Sequence, residues 1–246
     1  MQGSFADMKS ICKTIGVEQV DGIVLDLGIS SMQLESSGRG FSFNKNEPLD
    51  MRMDPQTKLT ADDLVNHYPI DELENILRHF GDEPKAKRIS KTIFKARPIA
   101  TASELAELVS RAALLNISPK RKVKTHPATK TFQALRIAVN TELKDLESGL
   151  LSSPSLLKTS DSEKENSLGR LAVIAFHSLE DRIVKQFIKT ESTDCLCSKK
   201  QPICTCEHTA SLRAVNRKPL VPSLDEISNN PRSRSAKLRV AEVLDR

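Results

Sequence analysis

No apolar run in this chain of 246 residues approaches the ~18 residues of a membrane-spanning helix, so no such span is expected. Met1 to Ser10 has neither the apolar core of a secretory leader nor the Arg-rich pattern of an organelle transit peptide. An even complement of cysteines is also missing. There are five, four of them within Cys195 to Cys206, which argues against a secreted disulfide framework and for a reducing compartment or a metal. No internal repeat is found. With 38% hydrophobic and 28% charged residues the chain is globular rather than disordered, long enough for one large domain or two small ones.

The net charge of +5 is mild, so its distribution matters more than its total. Lys85, Lys87, Arg88, Lys91, Lys95 and Arg97 follow one another with no acid between them. Lys120, Arg121, Lys122, Lys124, Lys130 and Arg136 form a second such run, and Arg232, Arg234, Lys237 and Arg239 a third. Local positive potential recruits phosphate backbones; the alternative is three solvated helix faces.

Gly22 to Leu27 is a continuous apolar run bounded by a turn, which predicts a strand buried on both faces. It ends in Asp26-Leu27-Gly28-Ile29-Ser30-Ser31, and ligands of open α/β sheets sit beyond the carboxyl ends of such strands. The loop that follows, through Gln33, Arg39-Gly40-Phe41-Ser42-Phe43 and Leu49-Asp50-Met51-Arg52-Met53-Asp54, is too long and too rich in chemistry to be a plain connection. Four helices then follow with no strand signal. They open at Thr60, Asp71, Pro84 and Thr101, and the second stops at Gly81. Phe132, Leu135, Val139, Leu143, Leu146 and Leu150 share one face of a single long helix. Residues 152–167 lack periodicity and predict a surface loop or disorder. Arg170 to Phe176 is a second buried strand, followed by a helix capped by Ser178, with Ile183, Val184, Phe187 and Ile188 toward the sheet. Asp194 to Leu212 is irregular, Ser223 caps a short helix, and Ala236, Leu238 and Val240 alternate as an edge strand.

The Asp21–Leu34 stretch, the Arg39–Phe43 and Leu49–Asp54 blocks, Thr131–Asn140, Ile174–Arg182 and Asn230–Arg239 together resemble the MraW family, in order over nearly the whole chain. The resemblance implies methylation, dependent on S-adenosylmethionine, of the exocyclic amine of a cytidine in small-subunit ribosomal RNA. It implies an α/β fold, a Rossmann-like class I methyltransferase sheet with an inserted small helical domain. Residues 1–59 and 125–246 are expected to form the methyltransferase part, and 60–124 a substrate-recognition insertion.

Such a reaction passes a methyl group in line from a sulfonium to a nitrogen whose lone pair is delocalised into the ring. An acceptor against the amine hydrogens localises that lone pair, and the base must leave its stack. By resemblance, Asp26 and Gln33 contact the cofactor, as does Phe5, for which core packing is the alternative. The Gln33 amide pairs with either the adenine or the amino-acid end. Asp26 also reads as a turn cap. Ser30 and Ser31 donate to the base or stabilise the turn. Asp50, Arg52 and Asp54 line an RNA entry or form an internal ion-pair clamp. Asn140 lies mid-helix, where asparagine is disfavoured, so it is expected to make a specific hydrogen bond, catalytic or structural. His177 either shuttles a proton or holds structure. Arg52, Lys120, Arg121, Lys122, Lys124, Arg232 and Arg234 are the expected RNA contacts.

Cys195-x-Cys197 and Cys204-x-Cys206 have a tighter spacing than the usual zinc knuckle. Reduced thiols are the default expectation and a structural zinc the alternative.

The family pattern begins with a strand, a Gly-rich turn and a second strand ending in an acid. None of the nine glycines here forms that turn. The sheet is therefore expected to be incomplete in its first strands, as in an N-terminally shortened enzyme. Weak cofactor binding, impaired activity and an exposed edge prone to association, a homodimer included, are expected with it. The rival expectation is a non-catalytic RNA- or ribosome-binding module. The segment 152–167 points to a mitochondrial member, with mitochondrial small-subunit RNA as substrate and the matrix as the compartment of the parent protein.

Overall fold

In the computed structural model the described residues are 1, 3–30, 38–43, 45–114, 126–159, 168–198, 201 and 203–245. They divide into two units, one made of Met1–Gly28 and Leu143–Arg246, the other of Ile29–Glu142. The helical unit is thus wider than the expected 60–124. No helix among the described residues is long and apolar enough to cross a membrane.

The first unit is α/β, built on a four-stranded mixed sheet in the order β1-β2-β4-β3. Strands β1 (Gly22–Asp26) and β2 (Arg170–Ala175) run parallel, with Gly22 opposite Arg170 and Asp26 opposite Ile174. Strand β4 (Lys237–Val243) pairs antiparallel with β2, and β3 (Leu212–Ala214) antiparallel with β4. Helix α8 (Ser178–Glu191) buries Val184 and Ile188 in the same cluster as Leu171 and Val173 of β2, with Ile183 and Phe187 packed alongside as expected.

Two strand expectations are corrected. β1 is not buried on both faces. Gly22, Val24 and Asp26 all lie exposed, Val24 by 70%, while Leu25 and Leu27 are buried. The strand holds one edge of the sheet and is covered on one face only, so its side chains alternate despite the continuous apolar run. β4 in turn is interior rather than an edge. Ala241 and Val243 fill the core, and the short β3, unmarked in the sequence, takes the edge.

Helix α1 (Met8–Thr14) follows a 3-10 turn at Phe5–Asp7. Phe5 packs on α7 (Glu142–Ser152), where a Cβ on Gly149 would stand 2.8 Å from its ring.

The second unit is helical: a π-helical turn α2 (Asp63–His67), then α3 (Ile70–Gly81), α4 (Ala86–Ala96), α5 (Ala102–Leu114) and α6 (Thr129–Asn140). Its core draws Leu73, Leu77, Ile89, Ile93, Leu105 and Leu135 from four of them. Thr60 opens α2 as expected: its hydroxyl accepts from the Asp63 amide, and the Asp63 carboxylate accepts from the Thr60 amide at 2.9 Å. Helix α3 stops at Gly81, as expected. A Cβ there would be 2.7 Å from the Lys130 carbonyl of α6, so the glycine permits close helix packing, and Asp82, at φ 44°, makes the left-handed turn.

The single long helix expected from Phe132 to Leu150 is two helices. Thr141, at φ 51°, breaks it, and the Arg136 guanidinium grips the Glu142 carboxylate across the break through two 2.7 Å bonds.

Candidate active site

Asp26 is the last residue of β1. The Leu27 amide donates to the Ile174 carbonyl at 3.0 Å, so the carboxyl ends of the two parallel strands leave the sheet side by side. Gly28, at φ 93°, then turns the chain next to Phe176. The period of two puts the Asp26 side chain on the uncovered face, open to solvent at the edge where α/β sheets take ligands. This carboxylate can accept hydrogen bonds from hydroxyl or ammonium groups of an incoming molecule.

His177 follows β2 at the same edge, and its local role is explicit. It is the N-cap of α8: its Nδ1 accepts from the Glu180 amide at 3.4 Å. Glu180 Oε2 accepts from the Phe176 and His177 amides at 2.8 and 3.2 Å. This reciprocal box satisfies amides that the helix itself leaves open, so the expected cap, Ser178, is corrected to its neighbour. With Nδ1 accepting, the ring proton sits on Nε2. That nitrogen is 3.1 Å from Glu180 Oε1 but lacks hydrogen-bond geometry, so the contact is electrostatic only. One residue on, Asp181 accepts from Arg239 Nε at 2.8 Å and Lys237 Nζ at 3.0 Å, tying α8 to β4. Burial pushes the Asp181 carboxyl up, but the bonds from Arg239 and Lys237 outweigh it and hold the group below its ordinary value.

In the helical unit the acidic–basic loop is an internal clamp. Arg52 donates through Nε and Nη2 to the two Asp50 oxygens at 2.8 and 2.7 Å, and through Nη1 to the carbonyls of Pro55 and Thr57, both at 2.9 Å. Four of its five N–H groups are thereby engaged, which is the clamp of the two alternatives open from the sequence. Its hydrogen bonds hold the Asp50 carboxyl below the usual carboxylate range, against burial, which pushes up. Arg39 donates to the carbonyls of Arg52 and Met53 at 2.6 and 3.1 Å.

Asn140 completes the clamp and resolves the puzzle of a mid-sequence asparagine. It is the last residue of α6, its Oδ1 accepts from the Met53 amide at 2.6 Å, and its Nδ2 donates to the Met51 and Arg136 carbonyls at 2.8 and 2.9 Å. Met51, buried and at φ 57°, sits in a left-handed conformation that these bonds fix. Of the two roles open from the sequence, the structure displays the positional one.

The family model described as the MraW methylase family matches residues 1–244. The chain belongs to that family. It is 48% identical over 239 residues to a protein of Dehalococcoides mccartyi named ribosomal RNA small subunit methyltransferase H, covering 97% of this chain and 65% of that one. Proteins of the same name from a Geobacter species and from Caldicellulosiruptor bescii are 49% and 45% identical, with 98% of this chain covered in each case and 75% and 76% of theirs. The chain therefore spans about two thirds to three quarters of these relatives, all of them bacterial.

Against the MraW expectations, the remaining residues fall out as follows. Phe5 is half-buried with its ring on α7, which is the packing alternative. Ser30 is exposed. Ser31, Gln33, Lys120, Arg121, Lys122 and Lys124 lie outside the described residues. Arg232 and Arg234 are exposed on a 3-10 turn, Pro231–Ser235. Their run-mates Lys237 and Arg239 are engaged by Asp181.

In the first basic run Arg97 is also engaged, by the carbonyls of Val65 and Tyr68 at 2.6 and 2.7 Å. Lys87, Lys91 and Lys95 instead form an exposed stripe at intervals of four along α4. That spacing was readable in the sequence. The part of Arg39 was not, because nothing local marks an arginine that bonds backbone thirteen residues away.

Proposed function

We propose that the protein transfers a methyl group from S-adenosylmethionine to the exocyclic amine of a cytidine in small-subunit ribosomal RNA. The observation that carries the reading is the MraW family match over residues 1–244, joined to an exposed carboxylate, Asp26, at the carboxyl edge of a parallel strand pair. In this reading Asp26 accepts hydrogen bonds from the cofactor. The cofactor supplies an electrophilic methyl group on a sulfonium. Transfer of that group would form one N–C bond for the C–S bond broken, and the amine proton would pass to solvent water. RNA is drawn by the Lys87, Lys91 and Lys95 stripe and by Arg234.

The test is methyl transfer in solution. Purified protein, methyl-labelled S-adenosylmethionine and small subunits from cells lacking the modification are incubated, and the digested RNA is analysed for N4-methylcytidine. Product is expected, and Asp26→Asn is expected to raise KM for the cofactor about tenfold or more, as befits one lost charged hydrogen bond. No product, together with salt-dependent RNA binding, would move the reading to a non-catalytic RNA-binding module. Titration calorimetry reads cofactor affinity directly. Mitochondrial residence rests on the segment 152–167 alone, gains nothing from the bacterial relatives, and is tested by cell fractionation.

A further inference from the structure

The segment between α8 and β3 contains no helix or strand among its described residues, yet it is closely organised. Its base is closed where the Ser211 amide donates to the Glu191 carbonyl at 2.8 Å. The Ala210 amide donates to Asp194 Oδ1 at 3.2 Å, and His208 Nε2 lies 3.0 Å from the Thr190 carbonyl. Beyond this base the described residues of the loop gather no apolar interior. Leu196 and Ile203 are 50% and 74% exposed. What gathers the loop instead is sulfur. In extended chain, residues i and i+2 point to the same side. Two C-x-C segments laid against each other thus aim four thiols at one point.

The distances are specific. Cys195 Sγ is 3.4 Å from Cys204 Sγ and 3.9 Å from Cys206 Sγ, and the sulfurs of Cys204 and Cys206 are 3.5 Å apart. All four sulfurs, that of Cys197 included, lie within 4.8 Å of one another. A disulfide needs about 2.05 Å, so no pair here is bonded. Four sulfurs at about 2.3 Å from a tetrahedral zinc would be about 3.8 Å apart along each edge, which is the range seen.

The backbone supplies a second, independent sign. The Leu196 amide, inside the first C-x-C, donates to Cys206 Sγ at 3.3 Å. The Thr205 amide, inside the second, donates to Cys197 Sγ at 3.5 Å. Each segment thus turns its central N–H toward a sulfur of the other, the support that thiolates ligating a metal require. Neutral thiols would gain little from it.

We propose that Cys195, Cys197, Cys204 and Cys206 hold one zinc ion, a structural site that pins the loop between α8 and β3. The donor set is all thiolate and leaves no open position, so the ion has no part in methyl transfer. His208 is not a ligand; its ring faces the Thr190 carbonyl.

The experiment uses the whole chain, purified under reducing conditions without a metal-binding tag. Elemental analysis is expected to give one zinc per chain, and titration of the thiols with a mercurial should release it. Cobalt substitution should give thiolate-to-metal charge-transfer bands and the intense visible bands of a tetrahedral site. Cys195→Ser with Cys206→Ser should lose the zinc and the cobalt spectrum, with faster amide exchange confined to residues 192–211. Should that variant not fold, the mercurial titration of the unaltered protein still decides. Zinc absent from the reduced protein after equilibration with the ion, iron in its place, disulfides among the four in protein kept from oxidant, or zinc retained by the double variant would each overturn the proposal.

Discussion

Replacing Asn140 by alanine isolates the clamp on the 49–54 loop. The side chain makes three hydrogen bonds, and two of them go to the backbone groups flanking Arg52: the Met53 amide and the Met51 carbonyl. Without it the amide has no partner, and the left-handed Met51 loses what fixes it. A net bond is worth about 1 kcal/mol, and a donor left unsatisfied in a partly buried site costs about 1–3 kcal/mol. Arg39 still holds the Arg52 and Met53 carbonyls, so the loop loosens rather than detaches. The expected local cost is about 2–3 kcal/mol, a roughly 30- to 150-fold faster exchange of the Met53 amide with solvent deuterium. Exchange followed by mass spectrometry or NMR reads this directly, without assuming that both units unfold together. Asn140→Asp sharpens the test. Its carboxylate still accepts from Met53 but faces the carbonyls of Met51 and Arg136 with no proton to offer. Its pKa in the fold must rise, so the variant is weakest at neutral pH and recovers as the pH falls and the carboxyl gains a donor. Met53 exchange that stays within twofold of the parent in Asn140→Ala would refute the reasoning.

Gly40→Ala should cost about 2–4 kcal/mol in denaturant unfolding, because the residue lies at φ 73° and its Cβ would meet the Pro48 carbonyl oxygen at 2.2 Å. Changing Lys87, Lys91 and Lys95 together to Gln should leave circular dichroism unchanged. It should lower the slope of log affinity for single-stranded RNA against log salt by about 2, read by filter binding. Asp50 is held below its ordinary value by hydrogen bonds from Arg52, Asp63 by the Thr60 hydroxyl and amide, and Glu242 by Arg213 and Arg170. Folding therefore favours their charged forms. The stability they add is complete above the unfolded carboxylate range, about pH 4–5, and drains away as the pH falls through their lower folded values. Urea midpoints should thus be level from pH 7 to about 5 and drop below, with a shallower drop in Glu242→Gln.

Local signals in the sequence were reliable where the cause was local. The Thr60, Thr101 and Ser223 caps and the sheet-facing stripe of α8 all stand, because a cap or a stripe is decided within one or two turns of chain. What failed was decided at a distance. The apolar run of β1 carries no mark that one of its faces stays uncovered. Helix α3 does stop at Gly81, but nothing local shows that this glycine also serves the approach of α6, some fifty residues on, or that Asp82 makes the left-handed turn. The apolar stripe from Phe132 to Leu150 continues in register across Thr141, so periodicity could not reveal the break that Arg136 and Glu142 brace. At the candidate site, the position of Asp26 was legible from strand and turn. The roles of Asn140 and Arg52 were legible only as alternatives, because the carbonyls that receive their donors are set by the folded loop.

The same logic joins two sequence blocks that looked like separate chemistry. His177 and Glu180 cap α8, and Asp181, in the same first turn, accepts from Lys237 and Arg239 on β4. His177, Glu180 and Asp181 thereby each have a structural part at the helix start. The basic residues at the end of the Asn230–Arg239 block supply the other half of the latch. β4 also pairs along β2, so the latch fixes where α8 begins relative to the carboxyl end of that strand. Asp26, across the parallel ladder from Ile174, inherits the same fixed edge. Asp181→Asn therefore tests the arrangement at one remove. It leaves Arg239, only 10% exposed, facing a neutral amide, and should lower stability by about 2–4 kcal/mol. If the carboxyl edge is what the cofactor uses, affinity for it should fall in parallel with loosening of the α8 start, even though Asp181 itself faces β4. Calorimetry showing cofactor affinity unaltered while amide exchange at residues 176–180 quickens would separate the latch from the site and confine it to stability.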